Sequence, residues 1–420
     1  MLPAASSSEG SKEGLPRAFK VFWAGQGLSA LGDAMTIVAL PLVVLAETGS
    51  ITQMGRLTGL ARVAGVLATM AAGFVVDHWR PRRIMLACDF FRCALMALIP
   101  VAALFDFRRL WLVLVVGVGA ALAQSIFYVG HVSLVADLVG RARVGAANSR
   151  IEGTIALAYV FGPFAAGALS SRLGPATVLG VDSATFLVSV LALLAMGNPT
   201  QAARPAPEVF APASGKLVGL VGLRFIRNQP ELSRLTLLVA ACQLFTAAVV
   251  DLFIFRLKHD LHQSDAKTGV TFALAGATAV LAAAATPWLR SKLSFHRLWV
   301  CAVVVQGLPL VATAAANSFA LMAGAAALYM AAMTLLMICQ ASIRQELTPQ
   351  HLLGRVTSSY LVLVALPAPL GALAATALAA RFGAASVQAA VGVGLLATAG
   401  VASLIWARMP RGGVGSPRSG

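Results

Sequence analysis

From Phe19 to about Arg408 the chain is a succession of twelve long apolar stretches separated by short connectors. A bilayer's hydrocarbon core is about 30 Å thick, so a helix needs roughly 20 apolar residues to cross it, and in lipid every backbone polar group must be bonded within the protein. Stretches of that length, repeated so often, predict an all-α membrane protein. The spans are expected at 19–46, 52–76, 84–105, 109–136, 149–171 and 175–197, then at 232–257, 266–289, 297–316, 318–343, 355–380 and 384–408. Composition agrees: only 11% of the residues are charged, against roughly 25% in an ordinary soluble domain. Glycine and alanine fill the apolar runs, and small side chains let helix backbones approach closely in lipid. That favours a tight helical bundle over a barrel.

A formal charge of +16 would point to nucleic acid in a soluble protein. Here the basic residues gather in alternate connectors without interleaved stacking aromatics, so nucleic acid is not an expected partner. One side holds Lys12, Arg17 and Lys20, Arg80 to Arg83, Arg141 to Arg150, Arg204 to Arg234, Arg290 to Arg297, Arg344 and Arg355, and Arg408 to Arg418. The other holds only Arg108, Arg109, Arg172, Arg256, Lys258, Lys267 and Arg381. By the positive-inside rule both termini are cytoplasmic, which needs an even number of spans. The five cysteines lie inside apolar runs with no metal-ligand spacing and read as small buried hydrophobes. No metal and no cofactor are expected. The first apolar run is longer than a signal-peptide core and lacks a convincing cleavage site, so it is expected to remain in the membrane.

The longest polar interruption, rich in proline and arginine, divides the chain. The expected organisation is a cytoplasmic tail at 1–18, a six-helix bundle at 19–197, a cytoplasmic linker at 198–231, a second six-helix bundle at 232–408 and a cytoplasmic tail at 409–420. The halves resemble each other: Gly162-Pro-Phe-Ala-Ala-Gly-Ala-Leu-Ser-Ser-Arg172-Leu-Gly174 aligns with Gly371-Ala-Leu-Ala-Ala-Thr-Ala-Leu-Ala-Ala-Arg381-Phe-Gly383. At a slightly different offset Thr48, Gly49, Ser50 and Gly55 align with Gln263, Ser264 and Gly269. Repeats that rock about a site at their interface are a common transporter design.

Between spans two and three stands Gly73-Phe-Val-Val-Asp77-His-Trp-Arg80-Pro-Arg82-Arg83, followed by Asp89 and Arg92. This resembles the signature G-x-x-x-D-R-x-x-R-R-R of the major facilitator superfamily, with His78 in place of an arginine and Pro81 inside the basic run. The resemblance, with the twelve-span layout, covers nearly the whole chain. It implies two pseudo-symmetric six-helix bundles and a conformational latch formed by Gly73, Asp77, Arg82, Arg83, Asp89 and Arg92, an ion-paired cluster with discrete partners in each state. Gly162-Pro163-Phe-Ala-Ala-Gly167 resembles the span-five motif of drug-exporting members, in which Gly162, Pro163 and Gly167 serve helix packing. The wider sequence is similar to the branch of macrolide-type drug exporters and a catecholate-siderophore exporter, through Trp23 to Gln26, Gly32-Asp33, Ala39 to Pro41, Gly145 to Asn148, Arg224 to Pro230 and Gly354 to Val356.

A carboxyl deep in a span is tolerated when neutral, paired or wetted, and each is a functional candidate. Asp33 in span one and Asp251 in span seven are the candidates for proton coupling. The alternative for Asp33 is a structural pair with Arg56 or Arg62, and for Asp251 a pair with Arg256. The antiporter arginine of span four is absent, its position being Val113. The family's architecture puts spans one, four, seven and ten around the substrate path, and the candidates for its lining are Gln26, Gln124, Tyr128, His131, Gln243, Tyr329, Met333, Met337 and Gln340. The last four recur at helical spacing, mixing flexible thioethers with an aromatic and an amide.

The expected function is secondary active export of a hydrophobic or amphipathic small molecule, coupled to protons by alternating access. The setting would be a bacterial inner membrane, with the protein a monomer in the lipid bilayer. Solute uptake, lysophospholipid translocation and a non-transporting sensor are the alternatives. No phosphate-cradling loop, HExxH or GxSxG motif is present, which argues against ATP as energy source and against an intramembrane enzyme.

Overall fold

A computed structural model describes residues 15–107, 109–140, 143–197, 216–315, 318–349 and 352–408, with the side chains of 71–74, 76–78, 216–220 and 315 outside that description. Among these residues the structure is helical, with no strand. Six helices make up the first half: α1 (Arg17–Thr48), α2 (Ile51–His78), α3 (Pro81–Leu104), α4 (Leu110–Val139), α5 (Val144–Leu173) and α6 (Pro175–Ala195). A shorter helix, α7 (Lys216–Asn228), follows. Then come α8 (Pro230–Thr246), α9 (Val249–Phe255) with a π turn over Arg256–Asp260, α10 (Asp265–Lys292), α11 (Phe295–Ala312), α12 (Phe319–Leu347), α13 (Leu353–Ala365), α14 (Ala368–Phe382) and α15 (Ala384–Ala407). Eleven segments among the described residues are long and apolar enough to cross a membrane, α8 with α9 and α13 with α14 each forming one.

Local chemistry sets the ends. Pro81, Pro175 and Pro230 open α3, α6 and α8, where the missing N–H costs nothing and the fixed φ suits a helix. Gly174 and Gly383 end α5 and α14 with φ of 83° and 88°, a region that penalises any Cβ. These two glycines are aligned in the internal repeat, so the match extends to backbone conformation.

Helices α1 to α6 pack on one another, chiefly α1 along α5 and α6, α3 along α4 and α6, and α2 along α4. In the second half α10 lies on α12, α11 on α12 and α15, and α8 on α14 and α15. Two seams join the halves, α5 with α10 and α2 with α14. Both run along glycine. A methyl group on Gly167 would lie 2.5 Å from the Asp265 carbonyl oxygen and 2.7 Å from the Gly269 Cα, and Gly55 leaves no room for a methyl against Thr376. Gly167 aligns with Thr376 and Gly269 with Gly55 in the repeat, so the two seams are built from corresponding positions. These contacts lie toward the helix ends opposite those that carry most of the arginine and lysine.

The structure departs from uninterrupted spans in two places. The segment 230–260 breaks at Ala247 and Ala248, and the segment 353–382 breaks at Leu366 and Pro367. The second break follows from proline, which removes a donor and crowds the preceding turn. The first carries no proline or glycine. Within the expected linker, 198–215 lies outside the described residues, as do the tails at 1–14 and 409–420, whereas the remainder holds α7, packed on α13 and α8.

Candidate functional site

A polar chain crosses the interior of the first half. Asp33 on α1 takes an ion pair and hydrogen bond from Arg92 on α3. Arg92 also lies 3.9 Å from Asp89, one turn earlier on α3. The Ser189 hydroxyl on α6 donates to Asp89 Oδ2 at 2.5 Å and accepts from Gln26 Nε2 at 2.7 Å. Asp89, Arg92 and Ser189 are buried. The Phe186 ring covers the guanidinium at 3.9 Å, a cation–π contact that partly replaces lost hydration. Asp33 differs from the others because its side chain keeps 32% of its surface exposed. It is the open end of an otherwise enclosed chain.

Next to this chain, Asp182 on α6 accepts hydrogen bonds from Thr36 at 2.6 Å and Thr185 at 3.2 Å. Asp182 is fully buried. Asp89 and Arg92 lie eight and eleven residues beyond Pro81, about 12 and 16 Å along the helix axis. There Arg92 pairs with Asp33, in place of Arg56, which bonds Gln53, and of Arg62. Of the expected latch, the surroundings of Gly73 and the side chain of Asp77, with that of His78, lie outside the description. Arg83 is exposed. Arg82 donates to the carbonyls of Leu193 at 2.8 Å and Leu194 at 3.2 Å in the last turn of α6, where the helix dipole suits a cation.

A second cluster lies where the halves meet. Arg62 on α2 reaches across to the Ala247 carbonyl at 3.2 Å, satisfying an acceptor freed by the break between α8 and α9. Asp251, buried on α9, sits beside Thr58 and Arg62 of α2, and its Oδ2 makes no hydrogen bond. The expected Asp251–Arg256 pair is therefore not formed. Arg256 instead engages Asp260 at 3.4 Å, the Thr313 carbonyl at 2.9 Å and Gln388 at 3.2 Å. Five residues apart on a helix, Asp251 and Arg256 project in different directions.

A third arrangement closes the far end of the α5–α10 seam. Ser170 on α5 donates to Asp265 Oδ2 at 2.5 Å, while Lys258 Nζ lies 2.5 Å from Oδ1 of the same carboxylate. Asp265 opens α10, where the helix dipole favours a negative charge. Sequence reading missed this trio. Its one signal was Ser264-Asp265 ahead of an apolar run, an ordinary helix start.

The expected lining residues divide. Tyr128 and Met337 are largely exposed, Gln124 is exposed, and Gln243 and Met333 are half-buried. Gln26 is tied to Ser189, and Gln340 accepts from the Tyr360 hydroxyl at 3.3 Å. Tyr329 is buried against Phe253, with ring centroids 6.4 Å apart. His131 stands between the rings of Phe22 and Phe127, at 5.5 and 6.2 Å, which is a packing position. In the helix-packing motif, Gly162 abuts Ala34 and the Leu31 carbonyl of α1, and Gly167 meets α10. Among the described residues no three His, Cys, Asp or Glu side chains converge as a metal site.

Residues 22–372 match the family model of the Major Facilitator Superfamily. The multidrug efflux pump Tap of Mycobacterium tuberculosis (strain ATCC 25618 / H37Rv) is 29% identical over 212 residues, 48% of this chain and 49% of that protein. The chain thus aligns with about half the length of that curated relative. The nucleoside transporter NupG superposes with a TM-score of 0.76 at 12% identity, covering 94% of this chain and 100% of the other. A bacterial homologue of the iron transporter ferroportin, in an inward-facing state, gives 0.71 at 16% identity with 94% and 100% covered. At such identities these likenesses establish the fold alone.

Proposed function

The chain belongs to the Major Facilitator Superfamily, and from that premise we propose that it is a secondary active exporter of a hydrophobic or amphipathic small molecule, coupled to proton entry. It is a membrane transporter and not an enzyme. In this reading α2 joins the eleven other spans to make twelve, in two pseudo-symmetric six-helix bundles of a bacterial inner membrane, with both termini cytoplasmic. The similarity to a multidrug efflux pump supports export.

One observation carries the coupling role: Asp33 is the accessible end of a buried ionic chain. When Asp33 takes up a proton, Arg92 loses one partner but retains Asp89, so the bilayer interior never holds an unpaired cation. When Asp33 releases the proton, Arg92 stabilises the carboxylate again. The proton can therefore come and go at Asp33 while Arg92 keeps an ion-pair partner in Asp89. Latch residues Asp77, Arg82 and Arg83, and cavity residues Tyr128 and Met337, keep the roles proposed from the sequence. The glycine seams and the Ser170–Asp265–Lys258 trio close one face of the two bundles, and rocking about them would expose the other face of the same crevice in turn.

The test is expression of wild type and Asp33→Asn in a drug-sensitive bacterial host screened against a compound panel. Wild type is expected to protect against at least one hydrophobic compound, and Asp33→Asn to lose that protection. Protection that survives the substitution removes Asp33 from coupling. Net inward flux of the compound in right-side-out vesicles, driven by the proton gradient, would overturn the export direction.

A further inference from the structure

A groove of about 550 Å³ opens beside α7, its lining including Arg224, Arg227, Ser233, Leu237, Ala240 and Leu363. None of these side chains belongs to the polar chain, the seams or the crevice. The lining changes character with depth. Arg224 and Arg227 lie three residues apart on α7, on one face of the helix, and Ser233 is in the first turn of α8. Below them Leu237 and Ala240 descend α8 and Leu363 adds α13, so the apolar part extends about 10 Å into the span. Leu237 is exposed at 69%, which in a bilayer means that it faces lipid.

The two arginines lack an internal counter-charge. Among the described residues no carboxylate forms an ion pair with either one, and Glu231, at the start of α8, is engaged by His296 at 3.2 Å. Helix α7 is anchored where it lies: Gly222 meets the Arg355 carbonyl and the Ser359 hydroxyl of α13 so closely that a side chain there would collide. The arginines are thus held at the mouth of a groove whose floor is apolar. Two fixed cations above a greasy channel running along the span match an anionic amphiphile standing in the leaflet, head at the surface and chain alongside the helices. A cationic drug would be repelled at the mouth, and a free anion would leave the apolar part unfilled.

We propose that the groove between α7, α8 and α13 is a binding site for an anionic phospholipid, its phosphate held by Arg224 and Arg227 and an acyl chain lying along Leu237, Ala240 and Leu363. Basic pockets between spans and juxtamembrane arginines are the recognised means of reading anionic headgroups. The bound lipid would fasten the helix that follows the first half to the second half, independently of what the protein transports.

The experiment is native mass spectrometry of the full chain in detergent micelles, titrated with dioleoylphosphatidylglycerol or dioleoylphosphatidylcholine. Phosphatidylglycerol is expected to be retained in preference to phosphatidylcholine. The double variant Arg224→Gln/Arg227→Gln should weaken its binding about thirtyfold, the equivalent of roughly 1 kcal/mol per basic side chain. Arg297→Gln, a basic-face control, should leave binding unchanged. Ala240→Trp, which fills the apolar part, should weaken retention of both lipids, and Leu237→Trp at the exposed position gives a second reading if Ala240→Trp does not yield monodisperse protein. Equal retention of the two lipids, or no loss in the double variant, overturns the proposal. So does displacement of phosphatidylglycerol by millimolar inorganic phosphate without any effect of the tryptophans, because the groove would then hold a bare anion.

Discussion

Asp33 and Asp251 both lie inside apolar segments, one in each half, yet their surroundings differ in kind. Asp33 is paired within its own half by Arg92, with Asp89 and Ser189 behind. Asp251 stands at the seam, beside an arginine and a threonine that belong to the other half. Under the proposed alternating access, a pair inside one bundle would keep its geometry when the halves rock and would change only with its proton. Contacts across the seam change with the rocking itself. Under the proposed function the first aspartate would carry the proton and the second would respond to conformation, although the sequence presents them as equivalents.

The largest expected effect tests the first half of that contrast. Arg92→Leu leaves Asp33 and Asp89 without a counter-charge and should lower stability by about 3–5 kcal/mol, read as a fall in the thermal unfolding midpoint in detergent. Adding Asp33→Leu should recover part of the loss. If Arg92→Leu melts with wild type, the chain does not hold the bundle together. Next, Gly167→Leu should wedge α5 from α10 at about 1–3 kcal/mol. In a background lacking native cysteines, a Thr376→Cys reporter on the other seam should then label several-fold faster with a membrane-impermeant maleimide. Unchanged labelling would mean that the two seams open independently.

Asp251→Asn sharpens the contrast further. It should reduce transport about tenfold or more, roughly 1.4 kcal/mol, while shifting the thermal midpoint much less than Arg92→Leu does. An Asp251→Asn protein with wild-type flux would assign the seam cluster to packing. The smallest effect is expected from Ser170→Ala, which removes one hydrogen bond to the Asp265 carboxylate. A change of about 1 kcal/mol in the balance between the two facing states, roughly fivefold, should appear in distance measurements between spin labels on α5 and α10.

Much of this was legible in the sequence. The apolar stretches correspond closely to the helices because span length is set by the bilayer and not by contacts. The repeat was legible down to Gly174 and Gly383, since a left-handed helix end leaves glycine as its mark. The Gly162–Gly167 motif was legible for the same reason, a close approach that excludes side chains. The polar chain was read only in pieces. Asp33, Asp89, Arg92 and Gln26 were all singled out, but two were assigned to a surface latch because a connector motif stood just ahead of them in the sequence. Arg62 was considered as a partner for Asp33, whereas its reach to Ala247 depends on a helix break that no proline or glycine announces.

The sequence by itself determined that this chain lives in a membrane, where its helices begin and end, and that its halves repeat, because those properties follow from local hydropathy and backbone preference. Tertiary structure decided which charges meet. An ion pair depends on the rotation and depth of two helices distant in sequence, and a shift of a residue or two along either one would turn Arg92 away from Asp33 while leaving the hydropathy pattern unchanged.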